Sequence, residues 1–305
     1  DNENLDLSAQ GKTTVAELIS PRMENFASEN LQGISAMLKL FSAWSKSTVH
    51  CTHLFEDSRI LNGVAELLGH SGAQNEVKIF LLKEVLDKLV LNSAVVQPYV
   101  SAFVASISGI LSLQQPAGDL LSTCVKSTTK LAERITDPKQ AEEVIQVCAN
   151  LLRQPGNFVH PSVKAGLVRT MMPLLDTMGG ATPPKTVYES ISGLFSRLRD
   201  LESRKMFSAA LVKLCKGDEA LAESADICEE INALDHDRKE HGFARIYENA
   251  EEFSTDLWLP LMHNCMLFIR DEDDTVNRSS AARALELLIV ASSKTGNMDL
   301  IKSDL

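Results

Sequence analysis

Apolar residues recur at spacings of three and four along most of the chain, the pattern of amphipathic helices. The clearest segment starts at Asp137 and Pro138, which suit an N-cap and a first helical position, and stops at Gln154-Pro155-Gly156. Its apolar stripe consists of Ala141, Val144, Ile145, Cys148, Leu151 and Leu152. This spacing predicts one helix between Asp137 and Gln154.

The same spacing predicts helices along the rest of the chain, and no strand-like alternation competes with it. Before Asp137 the predicted helices are Gln32–Ser45, Arg59–Leu68, Asn75–Leu91, Tyr99–Leu113 and Asp119–Arg134. After it they are Pro161–Gly179, a helix that follows Pro183-Pro184 and runs to Leu198, one capped by Ser203 that runs to Leu214, Leu257–Ile269 and Val276–Val290. The predicted fold class is all-α.

Pairs of helices joined by short turns recur about every forty residues, which is the period of HEAT and armadillo arrays. The segment Leu234-Asp235-His236-Asp237-Arg238, followed by Ala244, is echoed by Asp274–Ala284, so Arg238 and Arg278 lie one repeat apart. We predict a HEAT/armadillo-like α-solenoid of antiparallel helix pairs, continuous over residues 11–305. Residues 1–10 are expected to be flexible.

Composition narrows the class of protein further. Hydrophobic residues make up 44% of the 305 residues and aromatic residues 5%, which suits packed helices. The net charge of -11 argues against nonspecific nucleic-acid binding by the whole chain. A chain with this net charge can still carry local basic faces. Six scattered cysteines without a C-x-x-C pair fit a reducing compartment. The chain starts Asp-Asn-Glu-Asn, without an initiator Met or a signal peptide, so we expect it to be part of a longer chain.

A Gly-Lys-Thr at Gly11 could open a nucleotide-binding loop. Such a loop needs a glycine five residues before the Gly-Lys pair, and Asp6 stands there. No apolar strand precedes it. We therefore expect no nucleotide cofactor.

Three further candidates for chemistry fail on spacing. The acidic run Asp271–Asp274 lacks the glycine and the glutamate of an EF-hand loop, because Val276 and Ala282 hold those positions. A zinc site would need more ligands than His50, Cys51, His53 and Glu56 supply, and His263 and Cys265 point to different helix faces. We expect no catalytic residue, metal or small-molecule substrate, and hence no enzyme.

Residues Leu89–Gly118 carry no charge, but Asn92, Gln97 and Pro98 interrupt the run, so we expect a buried helix and no membrane contact.

Two basic groups are candidates for contact with a partner. Lys126, Lys130 and Arg134 recur at every fourth position of one predicted helix face, and Arg197, Arg199, Arg204 and Lys205 cluster around a turn. Either group could meet RNA phosphate or an acidic protein. Glu133, Asp200 and Glu202 offset the charge, so a solvated face is the simpler interpretation.

The segment Leu234–Val290 resembles a known family. The resemblance rests on Trp258, Pro260 and Leu261 in one helix, the acidic turn, and Arg278-Ser279-Ser280-Ala281 followed by Ala284-Leu285. The segment from Glu29 to Trp44 is similar as well. The family is that of the giant HEAT-repeat proteins associated with U3 nucleolar RNA, also called the down-regulated-in-metastasis family.

The resemblance implies a non-enzymatic nucleolar scaffold in ribosome biogenesis. It would hold pre-ribosomal RNA or U3 RNA, together with assembly proteins, in the small-subunit processome. The alternative is a HEAT or armadillo adaptor for nuclear transport or membrane traffic, whose concave face binds basic peptides.

Overall fold

The computed structural model describes Lys39 and residues 58–113, 117–154, 160–178, 183–252, 257–270 and 274–295. Several predictions lie outside these residues: the flexible start at 1–10, the Gly-Lys-Thr at Gly11, the helix predicted for Gln32–Ser45, and the cluster from His50 to Glu56. The acidic run at 271–273 lies outside them as well.

The described chain consists of helices joined by turns. The first half contains α1 (Ser58–Gly69), α2 (Asn75–Phe80), a π-helix (Leu81–Val90), α3 (Gln97–Leu111), α4 (Gly118–Ala132), α5 (Pro138–Arg153) and α6 (Pro161–Thr177). The second half contains α7 (Lys185–Leu194), α8 (Leu201–Cys215), α9 (Glu219–Ile231), α10 (His236–Asn249), α11 (Leu259–Phe268) and α12 (Thr275–Thr295). The all-α prediction is confirmed, and the described residues contain no strand.

Most predicted helices are found within a few residues of their predicted ends. The carboxylate of Asp137 accepts the backbone N–H of Lys139 at 3.0 Å, as an N-terminal cap should. The cap of α8 was predicted wrongly, because Asp200, not Ser203, is its N-cap and accepts the N–H of Ser203 at 2.8 Å. Helices α9 and α10 were not predicted as separate elements, although Arg238 was assigned to a repeat.

The segment predicted as one helix over Asn75–Leu91 changes its winding at Leu81. Six buried residues stand at strict intervals of four, in the two rows Leu81, Val85, Leu89 and Leu82, Leu86, Val90. Such rows drift around an α-helix of 3.6 residues per turn. The backbone N–H of Leu91 donates to the Leu86 carbonyl at 2.9 Å, which is the bond to the fifth residue that defines a π-helix.

The chain divides into two compact units, Asp1–Val147 with Pro161–Thr170, and Cys148–His160 with Met171–Leu305. In the first unit, α1 packs on α3, while α4 packs on α2 and on the π-helix. With α2 and the π-helix counted as one continuous helix, each contact joins a helix to the next but one, as stacked helix pairs require. One face of α3, which lies within the charge-free run, is buried in this packing. No described helix has the length and hydropathy needed to span a membrane.

In the second unit the same rule holds for α9 with α11 and for α10 with α12. Helix α11 also packs on α7. The backbone carbonyl of Leu257, just before α11, accepts the hydroxyls of Tyr188 from α7 at 3.0 Å and of Ser224 from α9 at 2.5 Å. One carbonyl therefore fixes the start of α11 against two other helices.

A buried amide pair ties α9 to α11. Asn232 and Asn264 are both fully buried, and the Asn232 Nδ2 donates to the Asn264 Oδ1 at 2.9 Å. The Asn264 Nδ2 donates in turn to the Pro260 carbonyl at 2.8 Å. Because a buried polar group is costly when unpaired, this pair favours one register between the two helices.

Polar contacts between neighbouring repeats give the repeat length directly. In the first unit, the hydroxyls of Thr129 and Thr170 lie 2.8 Å apart across 41 residues, and Lys130 pairs with Asp87 at 2.8 Å across 43 residues. In the second unit, Lys294 pairs with Glu251 at 2.7 Å, also across 43 residues. Tyr247 reaches the Ser280 carbonyl across only 33 residues, so the repeat there is irregular.

Helices α4 and α6 approach closely at Gly166. A Cβ built on Gly166 would lie 2.7 Å from the Cγ1 of Val125, a distance that real side chains do not adopt. One turn further along, the Thr129 and Thr170 hydroxyls are in hydrogen-bond contact. Because Gly166 has no side chain, α4 and α6 lie close enough for the Thr129 and Thr170 hydroxyls to form a hydrogen bond.

We expect Gly166→Ala to lower the free energy of unfolding by about 1–3 kcal/mol, because the added methyl group must push α4 and α6 apart. Urea denaturation followed by circular dichroism measures this change. The matched control is Gly109→Ala in α3, where a Cβ would meet nothing within 4 Å. Removing the backbone freedom of Gly109 should stabilise the chain by about 0.5 kcal/mol. Equal effects of the two substitutions would contradict the close approach.

Candidate partner interface

The first basic group lies on and just after α4, and its members have different surroundings. Lys126 is exposed and has no ion pair with a described carboxylate. Lys130 is exposed but pairs with Asp87 of the π-helix at 2.8 Å. Arg134, two residues after α4, donates from Nη2 to the Leu91 carbonyl at 3.1 Å. Lys130 and Arg134 therefore join two repeats, and Lys126 alone is left for a partner.

A groove of about 500 Å³ separates the π-helix from the end of α4. Its charged lining residues are Lys83, Glu84, Asp87, Lys88, Lys130, Glu133 and Arg134. Lys88 pairs with Glu84 at 2.7 Å, whereas Lys83 has no such partner among the described residues. Four cationic and three acidic side chains line this groove on a chain of net charge -11, so the groove is a local exception to the charge balance.

Lys83 and Lys88 were missed by the sequence analysis. They lie on the neighbouring repeat, where a spacing of four along one helix does not reach. The signal that could have found Lys83 is the repeat itself, because it stands one repeat before Lys126. The structure brings Lys83, Lys130 and Arg134 to one groove.

The second basic group lies around the turn between α7 and α8, and its members also differ in how far they are exposed to solvent. Arg197 and Arg199 are exposed, and Lys205 is half-buried. Arg204 is only 8% exposed and is therefore part of the core. The prediction of partner contact stays a prediction for the exposed members, whereas the position of Arg204 points to packing.

Arg204 lies against an aromatic ring of α11. Its guanidinium carbon is 5.0 Å from the centroid of Phe268, and the Nζ of Lys239 from α10 is 5.8 Å from the same centroid. Phe243 meets Phe268 edge to face, with centroids 6.1 Å apart. The ring faces attract cations. This cluster joins α8, α10 and α11.

The cysteine side chains of the described residues are buried. Cys124, Cys148, Cys215, Cys228 and Cys265 are free and buried. Burial raises the pKa of Cys124, Cys215 and Cys265 to about 12, and raises that of Cys228 as well. A thiol that keeps its proton is a poor nucleophile and a poor metal ligand.

His263 and Cys265, considered above as a pair, do not form a dyad. The Nδ1 of His263 lies 3.2 Å from the Ser196 Oγ, which itself donates to the Gly193 carbonyl at 3.1 Å. His263 is 5% exposed, so this contact ties α11 to the turn after α7 and lies away from solvent. Within the described residues no group of three or more His, Cys, Asp or Glu side chains could hold a metal ion.

Stacked helix pairs, tied by polar contacts one repeat apart, define an α-solenoid protein. The chain belongs to the family described as U3 small nucleolar RNA-associated protein 20, N-terminal, whose family model matches residues 1–303. It is also similar to U3 small nucleolar RNA-associated protein 20 of Schizosaccharomyces pombe, with 22% identity over 303 residues. That match covers 89% of this chain and 12% of the relative, so the chain spans about an eighth of the relative's length.

We expect Arg204→Gln to lower the free energy of unfolding by about 1–3 kcal/mol, since it removes a buried cation from the ring of Phe268. The matched controls are Arg197→Gln and Arg199→Gln, which should each change it by less than about 0.5 kcal/mol, as surface substitutions do. Urea denaturation of the three variants makes the comparison. A loss at Arg197 as large as that at Arg204 would contradict the assignment of Arg204 to the core.

The buried thiols generate a prediction about reactivity. Native protein at pH 8 should expose at most one thiol to Ellman's reagent, that of Cys51, and urea should expose all six. A Cys51→Ser variant should then show no fast reaction in the native state. Any fast-reacting thiol in that variant would contradict the buried positions.

The same burial predicts the direction of a pH effect. The folded state retains thiol protons that the unfolded chain releases above its ordinary pKa of 9.0. The contribution of Cys124, Cys215 and Cys265 to stability is therefore complete below pH 9 and is lost as pH rises toward about 12.

Proposed function

We propose that this chain is part of a non-enzymatic HEAT-repeat scaffold in ribosome biogenesis. It would hold pre-ribosomal RNA and assembly factors in the small-subunit processome, within the nucleolus. The observation that carries the proposal is the family match over residues 1–303, since the name of that family states an association with U3 small nucleolar RNA.

The fold supports a scaffold because a solenoid presents a long surface made of equivalent faces on successive repeats. Such a surface can hold several partners at once. The charge of -11 favours basic protein segments as one class of partner, and exposed acids such as Glu219 and Asp226 on α9 are available to them. RNA would then need local cationic faces, of which the groove beside α4 is one.

The non-enzymatic part of the proposal is supported by the state of the reactive groups. The five described thiols are buried, burial raises the pKa of Cys124, Cys215, Cys228 and Cys265, and His263 is buried against Ser196. None of these groups meets solvent in an arrangement of nucleophile and base.

The test is affinity purification of the full-length protein from cells, with bound RNA and protein identified together. We expect U3 RNA, pre-ribosomal RNA and small-subunit assembly proteins to be enriched at least tenfold over an untagged control strain. A second control is the full-length protein without residues 1–305, which separates the role of this segment from that of the remainder.

Two outcomes would contradict the proposal. Recovery of transport cargo or coat proteins without these RNAs would favour the adaptor function. Unchanged recovery of every RNA and protein after deletion of residues 1–305 would show that this segment does not contribute to the scaffold.

A further inference from the structure

Three exposed cations of the first unit lie on successive stacked helices. They are Lys83 on the π-helix, Lys126 on α4 and Arg169 on α6, each 43 residues after the preceding one. All three are exposed, and none has an ion pair with a described carboxylate. We name this row the basic ladder.

The register between Lys83 and Lys126, the first two residues of the basic ladder, follows from one ion pair. Asp87 and Lys130 touch at 2.8 Å across the π-helix and α4. Lys83 stands four residues before Asp87, and Lys126 stands four residues before Lys130. Residues four apart lie one above the other on a helix, so both rungs are about one turn from this contact, in the same direction.

The register between Lys126 and Arg169, the second and third residues of the basic ladder, follows from the contact of α4 with α6. The Thr129 and Thr170 hydroxyls lie 2.8 Å apart, and a Cβ built on Gly166 would lie 2.7 Å from the Val125 Cγ1. Lys126 directly follows Val125, and Arg169 directly precedes Thr170. Because successive helical residues are about 100° apart, both side chains are turned out of this contact, which agrees with their exposure.

We propose that the basic ladder binds successive stretches of the phosphate backbone of a single RNA strand that crosses these helices. Packed helices lie about 8–10 Å apart, so the three rungs span roughly 20 Å. This length fits a short single-stranded segment of several nucleotides. The proposal deepens the proposed function, on which it rests, by naming the surface that contacts RNA.

The surroundings of the ladder favour nucleic acid over an acidic protein. The described exposed large apolar side chains are Val95, Leu113, Leu234, Val276 and Val290, and none of them belongs to the π-helix, α4 or α6. A protein partner would need apolar surface to bury, whereas phosphate contacts need only cations and polar groups.

The acids of the π-helix and α4 do not cancel the charge of Lys126. Asp87 and Glu84 are paired with Lys130 and Lys88. Asp119 and Glu133, also exposed on α4 and its end, stand seven residues before and after Lys126, which places them about 10 Å away along the axis. Physiological salt screens charges beyond about 8 Å. Lys126 therefore keeps most of its attraction for a phosphate that contacts it directly.

The ladder contacts backbone and not bases. No exposed aromatic side chain of the π-helix, α4 or α6 is available for stacking. Binding at the ladder is accordingly independent of base sequence and weakens as salt rises, because each phosphate contact releases counterions.

The test uses the full-length protein and fluorescent poly(U), with affinity measured from 50 to 200 mM salt. The ladder variant carries Lys83→Gln, Lys126→Gln and Arg169→Gln. We expect the slope of log affinity against log salt to be shallower by about 2 than in the wild type, since each single-strand phosphate contact contributes about 0.7. Affinity at 50 mM salt should fall at least tenfold.

The matched control carries Lys139→Gln, Lys216→Gln and Arg270→Gln, which removes the same charges from other exposed positions. The control should keep the wild-type slope. An equal change in control and ladder variants would overturn the proposal, because net charge alone would then explain it. Competition of poly(U) by polyglutamate at equal charge concentration would also overturn it, in favour of an acidic protein.

Failure of the ladder and failure of the proposed function give different results. If the wild type and the ladder variant recover the same pre-ribosomal particles from cells and have the same salt slope, the ladder is wrong and the scaffold function stands. If the wild type recovers no such particles, the proposed function fails whatever the slope.

Discussion

Helices one repeat apart must approach closely enough to bury the faces that a single helix pair leaves exposed, and the rest of the structure depends on this constraint. One helix pair buries too little apolar area to be stable alone, so each repeat is covered by the next. At Gly166 the approach leaves no room for a Cβ beside Val125. The same contact places the Thr129 and Thr170 hydroxyls within bonding distance. Packing and polar pairing thus select one register.

This register decides which charges remain available. A cation that meets an acid of the next repeat, as Lys130 meets Asp87, is used in holding the repeats together. A cation one turn away, such as Lys126, has no ion pair with an acid of the described residues and stays exposed. Where successive repeats keep the same period, as in the first unit, an unused position recurs on the neighbouring helix, and a row of like charges forms without any single helix being basic.

Much of the fold could be predicted because amphipathic spacing is local. The stripes of α5 and α6, with Val144, Ile145 and Leu167 among them, are buried as predicted. The winding of Leu81–Val90 could not be foreseen from spacing alone, since strict intervals of four are also compatible with an α-helix that turns slightly around the core. At α8, Asp200 and Ser203 are both good caps, and the structure favours the carboxylate, which accepts the N–H of Ser203.

The candidate site was harder to predict because charge type does not reveal depth. Arg199 and Arg204 stand five residues apart beside one turn, yet Arg199 meets solvent and Arg204 is buried against Phe268, 64 residues later in the chain. Only tertiary contact distinguishes them, because a long side chain can bury its stem and guanidinium where an aromatic face is present. The sequence of one repeat therefore does not reveal whether a basic side chain lies at the surface or in the core. Comparison of successive repeats in the structure does reveal it, because Lys83 and Lys126 stand one period apart and are both exposed.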